Sequence, residues 1–79
     1  MPAGVDMADC RTWPLGDLLP LVRRTGGLWP DVGVLIADYG PVIYLTDALT
    51  PGLHRRLVTC ERETHLTFAS ILEAGWMPD

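Results

Sequence analysis

The chain has 79 residues, 48% of them hydrophobic, with six arginines, no lysine and ten acidic side chains, for a net charge of −4. That length supports one domain burying roughly 60% of its unfolded surface, so a homodimer is a plausible way to enlarge the core. The apolar content argues against intrinsic disorder. The sparse positive charge argues against nonspecific nucleic-acid binding, which needs clustered Lys and Arg against phosphates.

There is no long apolar run, so no membrane span is expected. Residues 1–10 hold acids and lack a basic region ahead of an apolar stretch. No signal peptide is expected, and the cytoplasm is the default address. Cys10 and Cys60 then read as reduced thiols.

In chain order, residues 1–12 are polar and aperiodic and read as a loose leader to a single domain spanning 1–79. Asp17 is an N-cap candidate for a short helix, Leu18 to Arg24. Pro20 is tolerated in its first turn, and Arg23 and Arg24 suit the negative end of the dipole. Thr25-Gly26-Gly27 stops it. The run Val32–Asp38 is nearly all apolar and rich in Val and Ile, a buried strand. Tyr39-Gly40-Pro41 is a turn, and Val42–Thr46 a second strand, so 32–38 and 42–46 form a hairpin. From Thr50 to Gly75 a single long helix is predicted, over about 51–74. Thr50 caps it, Pro51 takes the first helical position and Gly75 closes the end. Leu53, Leu57, Cys60, Thr64, Phe68 and Ile71 supply a buried stripe at steps of three and four. Such a helix runs to roughly 36 Å. The expected fold is α+β: a short N-terminal helix, a β-hairpin and one long C-terminal helix.

Within this stretch Ile43-Tyr44-Leu45, Leu49-Thr50 and Arg55-Arg56 are followed, five residues after Arg56, by Glu61 and then by His65. The order of these features resembles the ImmA/IrrE-like family of small zinc metallopeptidases, in which a strand, a capped helix and an Arg-Arg doublet lead into an H-E-x-x-H motif. The resemblance covers about a third of the chain. Glu61 stands at the first zinc histidine, Arg62 at the general-base glutamate and His65 at the second histidine. On a helix Glu61 and His65 share a face and read first as a plain side-chain pair, with no cofactor expected; they are also the candidate metal pair, with zinc the ion the resemblance implies. Arg62 cannot serve as a base, because a guanidinium keeps its proton. Glu73 is too far along the same helix, about 12 Å, to be a third ligand. The resemblance therefore implies a catalytically inactive metallopeptidase-like module that binds a protein partner, such as a regulator of a phage or mobile element. No catalytic residue is assigned.

Two alternatives stand beside it: a small acidic inhibitor of a host enzyme or defence complex, and a residual zinc metallopeptidase completed by an outside ligand. His54 and His65 lie roughly 16 Å apart along one helix and cannot share an ion. Cys60 falls on the apolar stripe as a small hydrophobe. Of the three tryptophans, some pack the core and some can anchor a partner; Trp29, Trp76 and His54 are the partner-binding candidates.

Overall fold

The computed structural model describes residues 4–48 and 51–79. Strands β1 (Leu18–Arg23), β2 (Asp31–Ile36) and β3 (Val42–Tyr44) form an antiparallel meander. Helix α1 (Leu53–Thr59) then leads into β4 (Arg62–Thr64), which pairs with β3. Helix α2 (Phe68–Glu73) carries the chain across to β5 (Met77–Pro78), which pairs with β1 on the far side. The five strands lie in the order β4-β3-β2-β1-β5. Among the described residues no helix is long and apolar enough to cross a membrane.

This corrects the expected architecture in two places. The segment read as an N-terminal helix is β1. Its buried residues, Leu19 and Leu21, are two apart, the period of a strand, and Leu19 faces Leu35 across the ladder. Pro20 fits because residues 17, 19, 21 and 23 turn their backbone groups toward β2, as the bond from Ala37 N to Asp17 O shows. The missing N–H of Pro20 faces β5 instead, and there its carbonyl accepts from the amide of Asp79.

The long helix over 51–74 is absent. A rod of roughly 36 Å exceeds the longest extent of the molecule, 29 Å. The chain breaks at Cys60, whose backbone is extended, and residues 62–64 cover the edge that β3 would otherwise leave open. The Thr67 hydroxyl then accepts from Ser70 N and starts a new helix. At the other end Gly75 takes a left-handed conformation (φ 96°), Trp76 N reaches Ile71 O and Gly75 N reaches Leu72 O, the paired bonds of a Schellman cap. The closing glycine thus ends a helix of six residues. The cap expected at Thr50 lies outside the described residues.

The core sits on one face of the sheet. Leu19, Leu21, Leu35 and Ile43 meet Ile71 from α2, Trp76, and Met7 and Trp13 from the N-terminal segment. Residues 5–12, part of the segment expected as a loose leader, are tied down, together with Trp13. Met7 is buried, the Trp13 indole donates to Asp6 O, and Thr12 bonds both Asp6 and Asp9. Trp76 lies against Gly33, where an added Cβ would come within 2.4 Å of Ile43 and 3.4 Å of the indole. Gly33→Ala is expected to cost about 1–3 kcal/mol through forced repacking, read as a lowered urea midpoint at unchanged slope.

Candidate functional site

Glu61 precedes β4 and is exposed, and its carbonyl accepts from Leu45 N. His65 follows β4. Four residues of extended chain span about 13 Å, so Glu61 and His65 lack the shared helical face the metal reading required. Among the described residues no group of three or more His, Cys, Asp or Glu side chains is gathered to hold a metal ion.

What β4 does bring together is Glu63 and its neighbours. In a strand Glu63 lies on the core face opposite Ile43. Its Oε2 accepts from the Trp76 indole at 2.8 Å and pairs with His65 Nε2 at 2.7 Å, while Oε1 pairs with Arg23 at 3.3 Å. Arg23 also bridges to Asp31 at 3.0 Å and lies over the Trp76 ring, 4.5 Å from its centroid. The His65 hydrogen bond, helped by the indole N–H and by Arg23, holds the Glu63 carboxyl below its ordinary range.

His65 Nδ1 is 2.9 Å from Ser70 Oγ, which completes a Ser70–His65–Glu63 array. Those residue types suit a nucleophile, a base and an orienting acid. Here, however, the Ser70 hydroxyl donates to Thr67 O at 2.8 Å, and both His65 nitrogens already face oxygen partners. Among the described residues, Ser70, His65 and Glu63 line none of the clefts at Val5–Pro78, Pro20–Asp79, Met7–Phe68 and Tyr39–Arg62. It is best read as a polar tie that fastens β4 to the first turn of α2 and to Trp76.

The partner candidates separate sharply. Trp76 is fully buried and has no surface to offer. Trp29 is 80% exposed beside Leu28 in the β1–β2 connection. His54 is exposed on α1 and lines a cleft of about 460 Å³ with Tyr39, Tyr44, Leu57, Val58 and Arg62. That volume lies within the range of ligand pockets. Tyr39 and Tyr44 meet edge to face with centroids 6.4 Å apart. The Arg62 guanidinium lies 5.0 Å from the Tyr44 centroid and donates to Leu57 O. Tyr39 and Val58 stand 59% and 78% exposed.

No family model, curated protein or solved structure matches this chain.

The cleft was missed from the sequence because its walls come from the β2–β3 turn, β3, α1 and β4, which only the tertiary fold brings together. A second cleft, of about 410 Å³, is more apolar and lies between the N-terminal segment, Phe68 and Leu72 of α2, and Met77. Of the two, the Tyr39–Arg62 cleft combines apolar surface, aromatic rings and fixed charge. Helix α1 beside it carries His54, Arg55 and Arg56 and no acid, in a chain that is acidic overall.

Proposed function

We propose that this chain is a protein-binding module with no catalytic step of its own. The observation that carries the reading is the Tyr39–Arg62 cleft. It is an apolar and aromatic surface in which Tyr39 and Val58 are exposed and the Arg62 guanidinium forms part of the wall, and aromatic residues and arginine are enriched at protein interfaces. Arg56 anchors the helix that forms part of the cleft wall. Its guanidinium donates to Thr46 Oγ1, Pro51 O and Asp47 O, which fastens α1 to the segment before it.

The ImmA/IrrE-like resemblance adds a partner in phage or mobile-element control to this reading. The proposal keeps the partner and leaves out the cut, because Arg62 at the base position keeps its proton and Glu61 and His65 share no helical face. The test is selection of a displayed random-peptide library on the immobilised protein. Enriched ligands are expected to bind at least about tenfold more weakly to Val58→Glu, a change at an exposed position that leaves the melting temperature unaltered. Ligands indifferent to Val58, or zinc-dependent cleavage of any selected peptide, would count against it.

A further inference from the structure

We infer that the open edge of β4 takes up an extended acidic peptide as a sixth strand, with an apolar side chain of that peptide entering the Tyr39–Val58 cleft. The inference rests on the protein-binding reading and names the mode of binding and the chemistry of the partner.

The two edges of the sheet differ. On the β3 side of β4, Leu45 N donates to Glu61 O and His65 N to Pro41 O, each at 2.9 Å. Alternation then turns the N–H and C=O of Arg62 and Thr64 outward, away from the sheet. At the opposite edge the outward position of β5 is Pro78, which has no N–H to give. Asp79 N, one residue on, is already spent on Pro20 O. Proline at an edge is a common block to strand addition. One edge is blocked in this way and the other is open.

The surroundings of the open edge select its occupant. Arg62 belongs both to β4 and to the cleft wall, so a strand added beside it places alternate side chains next to that wall. The fixed charge there is the Arg62 guanidinium at the cleft wall, which favours a carboxylate on the incoming strand. Val58, Tyr39 and, just past the strand, Leu66 at 98% exposure give apolar side chains a place to bury. A second copy of this chain fits poorly. Antiparallel pairing of two β4 edges through Arg62 and Thr64 sets Glu63 opposite Glu63, a like-charge contact.

The experiment is a titration of isotopically labelled protein, followed by amide NMR, with a blocked nine-residue peptide alternating valine and glutamate. The Arg62 and Thr64 amides are expected to shift and to gain protection from exchange. The same peptide with lysine for glutamate is expected to bind at least about tenfold more weakly, and a peptide N-methylated at alternate amides not to bind. Thr64→Pro removes an outward donor while sparing the β3 ladder. Arg62→Glu reverses the charge with no backbone change, so it still reads the proposal if the proline variant fails to fold. Each is expected to weaken binding by at least about tenfold.

The inference is overturned if the edge amides stay unshifted at saturation, if N-methylation is tolerated, or if those amides shift with concentration in the protein alone. That last result would mark an interface between copies. Library ligands that depend on Val58 but leave the edge amides unmoved would end strand addition while sparing the module reading. A library that yields no ligand would end both.

Discussion

Replacing Trp76 by alanine is expected to remove most of the stability of this fold. The indole is fully buried, lies against Gly33 and has the Arg23 guanidinium 4.5 Å from its ring centroid. Large-to-small changes at such aromatic sites cost about 3–5 kcal/mol, and a domain of this length has only about 4–12 kcal/mol in total. Trp76→Ala also leaves Glu63 without its indole donor. The thermal midpoint is expected to fall by more than about 12 °C. Trp29→Ala, at an exposed position, should stay within about 0.5 kcal/mol of the parent. Equal losses at the two positions would contradict the placement of Trp76 in the core.

Glu63→Ala is expected to be the next most damaging change, at about 3 kcal/mol. It orphans the buried indole N–H and removes charge-assisted bonds to His65 and Arg23 together. Glu63→Gln keeps an acceptor for the indole and should cost less than half as much. The same carboxylate sets a pH dependence. Its folded pKa lies below the ordinary glutamate value of 4.5, so its contribution is complete above that value. The contribution is lost as pH falls from about 4.5 through the folded pKa. Urea midpoints measured from pH 6 to pH 3 should therefore fall less steeply for Glu63→Gln than for the parent.

The two hairpin strands were legible because Val32–Ile36 and Val42–Tyr44 are dense in β-branched and aromatic residues on either side of a Gly-Pro turn. Strand β1 was hidden by a coincidence. Asp17, Pro20 and the Arg doublet satisfy helix-end rules that say nothing of tertiary pairing, while the alternation of Leu19 and Leu21 spans too few residues to outweigh them. The stripe from Leu53 to Ile71 misled in a different way. Its steps of three and four hold within α1 and within α2, and the residues between happened to continue the count. Thr67, a good cap in mid-stripe, was the local sign of a break.

The site followed the secondary structure. Spacing of four pairs Glu61 with His65 only on a helix, whereas in β4 the period of two places Glu63 beside His65. The Tyr39–Val58 cleft depends on long-range packing and had no sequence signal.

Everything proposed for this chain depends on β4 (Arg62–Thr64) being an edge strand, and one NMR measurement tests that directly. Tyr44–Arg62 and Val42–Thr64 are the non-hydrogen-bonded pairs of the β3–β4 ladder, where the backbones come closest. Strong Hα–Hα cross-peaks are expected for both pairs. Consecutive amide–amide contacts through 60–65, with Hα to amide contacts three residues on, would instead mark a continuous helix. That result would bring Glu61 and His65 back to one face and remove the cleft.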